Sequence, residues 1–280
     1  MYEISGWGNF ALLPTSGSTF YGCSNMTWVG SAVGGFDTAL VTNMTQMFRS
    51  CTAFNQAVNF DTALVINMSR MFEGCTAFNQ PVAFDTAKVT NMSYMFRSCT
   101  AFNQAVNFDT ALVDNMSRMF DGCTAFNQSV AFDTAKVANM SYMFDNCTAF
   151  DQAVNFDTAI VTNMYQMFDN CTAFNQSVAN FDTAKVANMA FMFRSCTAFD
   201  QLVSNFDTTL VTDMSSMFDG VTLSTSNYDA LILKFSADVQ TIVASFDGGS
   251  SKYTGGGAVA TARAAWVTKG WILSDGGIAE

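Results

Sequence analysis

The sequence predicts an α/β solenoid of eight stacked rungs, and three observations carry that expectation. Phe-Asp-Thr recurs at Phe36, Phe60, Phe84, Phe108, Phe132, Phe156, Phe181 and Phe206, spaced 24 residues five times and then 25 twice. A fixed period of this length is the mark of a repeat architecture. The large apolar residues keep step with it: columns starting at Met44 and Met47 hold 16 of the 18 methionines, and columns starting at Phe36, Phe48 and Phe54 hold 23 of the 28 phenylalanines. Within each unit the apolar spacing changes from i, i+3, i+4 to strict alternation, so a rung reads as a short helix followed by a short strand.

One rung has too little apolar surface to order itself, and stacking supplies the missing burial and hydrogen bonds. At about 4.8 Å per rung, eight rungs give a rod roughly 40 Å long. The expected helix lies in Asn-Met-x-x-Met-Phe. Its cap position is Asn in seven rungs, Asn43 to Asn188, and Asp213 in the eighth, and both side chains suit an N-cap. Thr-Ala-Phe-Asn-Gln-x-Val is the expected strand, paired in parallel with the next rung. Phe-Asp-Thr turns the chain, with Asp61 and its equivalents placed to bond the backbone two residues on. A second period of 48 residues lies on top. Rungs from Phe60 and Phe108 carry Ala-Leu-Val and Ser-Arg-Met-Phe, and those from Phe84 and Phe132 carry Ala-Lys-Val and Ser-Tyr-Met-Phe.

The ends break the pattern. Residues 1–35 hold Trp7, Trp28 and a degenerate half-rung, Phe20-Tyr-Gly-Cys23, and read as an N-terminal cap. After Phe218 the columns fail. Ser226 to Phe235 reads as a helix, residues 246–257 as a glycine-rich turn region, residues 258–270 as a helix closed by Gly270, and Trp271-Ile-Leu as a last strand. The expected division is residues 1–35, N-terminal cap; 36–222, repeats; and 223–280, C-terminal cap.

Composition narrows the function. The 280 residues hold 12 Lys and Arg against 23 Asp and Glu, a formal charge of −11, which argues against nucleic-acid binding. There is no histidine, so Ser-His-Asp and Cys-His catalysis and histidine zinc sites are excluded. No apolar run approaches membrane-spanning length. The opening residues show no basic n-region followed by an apolar h-region, so no secretory signal is expected there.

Seven of the eight cysteines form a column, Cys51 to Cys196. At rung spacing, about 4.8 Å, their Cβ atoms fall outside disulfide range, and a straight ladder does not converge on a metal. They are expected as free, buried thiols. The Met columns read as core, and the Asp column as turn caps. No cofactor, metal site or catalytic residue is expected.

The stretch Val-x-Asn-Met-Ser-x-Met-Phe-x-Gly-Cys-Thr-Ala-Phe-Asn-Gln resembles the repeat of BspA-like leucine-rich-repeat surface proteins. Ser226-Asn-Tyr-Asp-Ala-Leu, Phe246-Asp-Gly-Gly, Ser251-Lys-Tyr and Gly270-Trp-Ile-Leu-Ser-Asp-Gly-Gly are similar to the element that commonly follows such repeats. The resemblance covers roughly residues 20–277. It implies a leucine-rich-repeat-like α/β solenoid used for adhesion or surface display, and supplies no catalytic residues.

Function is then sought where the repeats vary. Two positions after the first Met of each rung stand Gln46, Arg70, Tyr94, Arg118, Tyr142, Gln166, Phe191 and Ser216. Arg70, Tyr94, Arg118, Tyr142 and Phe191, expected on the outward side of the short helix, suit cation–π stacking and contact with a protein or glycan. Three residues further on run Arg49, Glu73, Arg97, Asp121, Asp145, Asp169, Arg194 and Asp219, whose simplest reading is solvated decoration. The expected function is a non-catalytic interaction rod. The favoured carrier is a phage or virus particle (fibre, spike or decoration protein assembled in the host cytoplasm), and the alternative is a bacterial cell-surface adhesin. Expected partners are a protein or glycan on a host or neighbouring surface, or further copies of the chain, with no nucleic acid and no membrane insertion.

Overall fold

The computed structural model describes residues 3–4, 10–15, 17–28, 36–238 and 245–280. Trp7 lies outside them, and of Trp28 only the backbone is described. Four two-residue strands open the chain: β1 (Glu3–Ile4), β2 (Phe10–Ala11), β3 (Thr27–Trp28) and β4 (Phe36–Asp37). β1 pairs with β3 and β2 with β4, both in parallel. The repeats follow. The chain then closes with α1 (Thr225–Asp238), β5 (Ser245–Asp247), α2 (Gly257–Thr268) and β6 (Ile272–Ser274).

Each repeat lies in parallel register on the next. The bridge Asn43 to Asn67 recurs through Asn91, Asn115, Asn139, Asn163 and Asn188 to Asp213. The core is a set of straight columns. Phe48, Phe72, Phe96, Phe120, Phe144, Phe168, Phe193 and Phe218 stack with near-parallel rings 5.5–5.8 Å apart. The Met and Cys columns beside them are fully buried.

The expected short helices are absent from the repeats. Among the described residues the two helices are α1 and α2, so the α/β reading with a helix in every rung is corrected. In place of a helix, the amides take turns. Met47, Arg49 and Cys51 donate back to the carbonyls of Met44, Gln46 and Phe48, whereas Met44, Gln46, Phe48 and Ser50 donate forward to Asn67, Ser69, Met71 and Glu73. Half the amides are therefore committed between repeats and cannot close i→i−4 bonds. Left-handed residues, Gln46 (φ 59°) and Ser50 (φ 62°) in the first repeat, set a four-residue turn that also puts i, i+3 and i+4 on one side. Asn43 keeps an acceptor role of a different kind: its Oδ1 takes the Thr45 N–H two residues on, at 2.9 Å.

The expected strand is likewise reduced, to isolated bridges such as Val58 to Val82 and Val130 to Val154. A side chain does the work of the ladder carbonyl there. Asn55 Oδ1 accepts from the Asn79 backbone N–H (2.9 Å) and from Gln80 Nε2 (3.0 Å), and the pattern repeats from Asn79 and Asn103. The Asp turns form as expected, from Ala39 N–H to Asp37 Oδ1 (3.1 Å) through Thr209 N–H to Asp207 Oδ1 (2.9 Å).

At the N-terminal side the degenerate unit is longer than a half-rung. β2 pairs Phe10 with Phe36, Pro14 O accepts from Thr42, and Ser18, Phe20 and Gly22 donate to Thr45, Met47 and Arg49. At the other side, Phe246 meets Phe218 edge-on, at 69° and 6.0 Å, and ends the ring stack. Trp266 packs 5.0 Å from Phe246, with Trp271 5.6 Å beyond. Asp200 continues the Asn column and receives Ser224 N–H and Asn227 Nδ2 from the start of α1. Gly270 (φ 94°) closes α2, its N–H bonding Val267 O. Gly249 is required by close approach, because a Cβ there would meet Val221 O at 2.2 Å.

Candidate functional site

Three surfaces vary along the stack. The first is the column proposed from the sequence. Arg70, Tyr94, Arg118, Tyr142 and Phe191 stand one above another and are half-buried. They sit on left-handed backbone, at φ 59°, 60°, 58°, 59° and 59°, and not on the outer side of a helix. Cation–π contacts join them: Arg70 lies 4.0 Å from the Tyr94 ring centroid, Arg118 lies 3.4 Å from that of Tyr142, and Arg194 lies 4.7 Å from that of Phe191. Tyr165 completes the upper part. Its ring is edge-on to Tyr142 (5.0 Å) and to Phe191 (5.6 Å), bridging the gap at Gln166. The sequence signal for Tyr165 is that it replaces the small Thr, Ser or Ala of every other repeat.

The second surface corrects the reading of the charged column as solvated decoration. Glu73, Asp121, Asp145 and Asp169 are buried. Glu73 receives three arginines, Arg49 (2.9 Å), Arg70 (3.1 Å) and Arg97 (3.0 Å). Arg97 and Arg118 meet Asp121 at 3.0 Å each, and Arg194 Nε meets Asp169 at 2.9 Å. Arg70, Arg118 and Arg194 thus belong to both columns, gripping a carboxylate while lying over a ring. Preorganised arginines of this kind leave their aromatic neighbours with few rotamers to lose on binding.

The third surface is one that pattern reading missed. Leu40, Leu64, Leu112, Ile160 and Leu210 form a column 36–66% exposed, with exposed Lys88, Lys136 and Lys185 in the intervening repeats. The turn aspartates run beside it, exposed from Asp37 to Asp182. The signal lay in the Ala-Leu-Val and Ala-Lys-Val alternation, since a position that accepts both Leu and Lys is not core.

All eight cysteines are free, and all but Cys23 are buried. Each buried thiol donates to a phenylalanine carbonyl of an earlier unit, as Cys75 does to Phe48 O at 2.9 Å. Burial pushes the Cys51 thiol up to about 12 and raises those above it as well. These are not nucleophiles at neutral pH. Trp266 and Trp271 are buried, so the C-terminal unit presents no tryptophan for binding. No described helix is long and apolar enough to cross a membrane.

Comparison with known proteins gives a family match over most of the chain. The family model described as "Mycoplasma protein of unknown function, DUF285" matches residues 17–131, 82–155 and 129–231. The overlapping matches follow the repeats and stop within α1. No curated protein matches the chain.

Proposed function

The chain belongs to the DUF285 family, and we propose that it is a non-catalytic, leucine-rich-repeat-like solenoid of the BspA-like kind, displayed on a surface to bind a protein or glycan. In this reading residues 36–222 are the rod and residues 1–35 and 223–280 its caps. The binding face is the column Arg70, Tyr94, Arg118, Tyr142 and Phe191, extended by Tyr165.

One observation carries the choice of face. Each repeat has two left-handed positions. At one, the residues are Ser50, Gly74, Ser98, Gly122, Asn146, Asn170, Ser195 and Gly220, small or locally bonding side chains that suit the backbone. At the other, with φ of 52–59° or 60° throughout, stand Gln, Arg, Tyr, Phe and Ser. Left-handed backbone costs a non-glycine residue about 1 kcal/mol or more. That cost is accepted in every repeat for side chains that differ from one repeat to the next, and a strained position kept while its side chain varies supports this choice of face.

The carrier has two readings. The sequence favoured a phage or virus particle, and the Mycoplasma in the family's description favours a bacterial cell surface. Antibody labelling of purified particles and of intact cells separates them. The face itself is tested by binding of the labelled chain to a glycan array and to a panel of immobilised extracellular proteins. The wild type should bind at least one target, and Tyr94→Ser, Tyr142→Ser and Phe191→Ser together should weaken that binding tenfold or more. A triple variant that binds as the wild type does would remove the face from the account.

A further inference from the structure

The charged column, buried at Glu73, Asp121, Asp145 and Asp169, alternates in sign along the stack with one exception. It runs Arg49, Glu73, Arg97, Asp121, Asp145, Asp169, Arg194, Asp219; a cation at Asp145 would make the alternation complete. As it stands, three carboxylates follow one another, Asp121, Asp145 and Asp169, in the repeats that carry Arg118, Tyr142 and Tyr165. Arg118 is committed to Asp121, and Arg194 to Asp169. Among the described residues no arginine or lysine comes within ion-pair distance of Asp145. Its Oδ1 accepts from Asn146 Nδ2 at 2.8 Å, and Asn146 Oδ1 accepts in turn from Asn170 Nδ2 at 2.8 Å.

We propose that Asp145 is a proton-operated break in the charge ladder. With the carboxyl protonated, the repeats that begin at Phe132 and Phe156 stay closed on each other. With it ionised, a third like charge sits between Asp121 and Asp169, and the Tyr142, Tyr165 and Phe191 face loosens. The proposal deepens the reading of that face as the binding face, adding its regulation, but the switch itself stands on the ladder alone.

The groups around Asp145 fix the direction. Asp121 and Asp169 repel it from the repeats on either side, and Arg118 and Arg194 attract it from further off. Tyr142 on its own repeat, Tyr165 against Tyr142 and the buried Cys171 thiol complete the titratable surroundings. Burial first, and then Asp121 and Asp169, raise the carboxyl from the ordinary aspartate range to about 7, against the pull of the two arginines. A carboxyl raised in the fold stabilises it fully below the unfolded pKa near 4. That contribution is lost progressively as pH rises to about 7 and stays lost above it.

The test uses amides that close the two repeats: Tyr142, Phe144 and Asn146 donate to Tyr165, Met167 and Asp169 at 2.9, 3.0 and 2.8 Å. Hydrogen exchange at these amides is compared at pH 5 and pH 8 in the wild type, Asp145→Asn and Asp145→Arg. At pH 8 the wild type should exchange at least tenfold faster than either variant, and the gap should shrink steadily as pH falls to 5. Carbon-13 titration of the wild-type Asp145 carboxyl needs no variant to fold and should give a midpoint near the 7 expected from its surroundings. A midpoint near 4, or equal exchange at pH 8, overturns the switch. Target binding is read separately: lost binding with the pH effect intact removes only the binding face, and the converse removes only the switch.

Discussion

Arg118 lies over the Tyr142 ring, 3.4 Å from its centroid, while its Nη1 reaches Asp121 Oδ2 at 3.0 Å. One guanidinium thus ties the buried acidic column to the aromatic column of the next repeat. The pairing makes Tyr142 more than an outward side chain. Arg118→Gln and Tyr142→Leu should show a coupling of about 0.5–1 kcal/mol in a double-mutant cycle followed by urea unfolding. Tyr142→Ser alone should cost about 1 kcal/mol, since the edge contact with Tyr165 goes as well. A coupling indistinguishable from zero would reduce the ladder to coincident surface residues.

The two left-handed positions make opposite predictions. Gly122 has φ 75°, and a Cβ there would meet Ser98 Cα at an ordinary 3.4 Å. Conformation, not space, sets the cost. Gly122→Ala should therefore destabilise by about 1 kcal/mol, and Gly122→Asn should cost less, because Asn146 and Asn170 occupy the equivalent position. Equal losses for Ala and Asn in thermal unfolding would point to crowding.

The thiols should divide one against seven. Cys23 is exposed and the rest are buried, so a small alkylating reagent at pH 7.5 should label one thiol rapidly in the native chain. All eight should label after denaturation without reductant. The pH dependence follows in sign. Folded thiols whose pKa burial has raised stay neutral while unfolded ones ionise, so their contribution is full below about pH 8.5 and declines as pH rises beyond it. Several fast-reacting native thiols, counted by mass spectrometry, would place the column elsewhere.

The exposed apolar column should tolerate charge. Leu64→Lys, Leu112→Lys and Ile160→Lys copy what Lys88, Lys136 and Lys185 already do in the intervening repeats. Each should change stability by no more than about 0.5 kcal/mol. A loss of several times that in melting experiments would show that the column is covered in solution.

Much of this architecture is legible in the sequence, and the part that is not has a physical reason. Side chains stacked at fixed register must fill the same space in every repeat, so the Met44, Met47, Phe48 and Cys51 columns announce the core. The local backbone does not follow from those columns. An i, i+3, i+4 pattern is produced equally by a helix and by four-residue turns with a left-handed residue, and it was the second that formed. The distinguishing signal was the Ser50, Gly74, Asn146 column, whose shared property is tolerance of positive φ. Asn43 and Asp213 were legible as acceptors, but an acceptor two residues before an amide serves a turn as well as a helix start. Burial of Glu73, Asp121, Asp145 and Asp169 was hidden because Asp and Arg alternating in sequence look the same whether solvated or paired. The face with Tyr94, Tyr142 and Phe191 was found because its residues vary where the core does not.

The most direct test of in-register stacking is a set of three deletions. Removing 48 residues, Phe60 to Asn107, restores every column and leaves Arg49 beneath Asp121, opposite in charge. Removing 24, Phe60 to Ala83, restores the core columns but sets Arg49 beneath Arg97. Removing 12, Phe60 to Met71, puts every column out of step. Thermal unfolding should rank them in that order: a cooperative shorter rod, a folded rod of lower melting temperature, and a chain without a cooperative transition. A 12-residue deletion that unfolds as cooperatively as the 48-residue one would contradict the account.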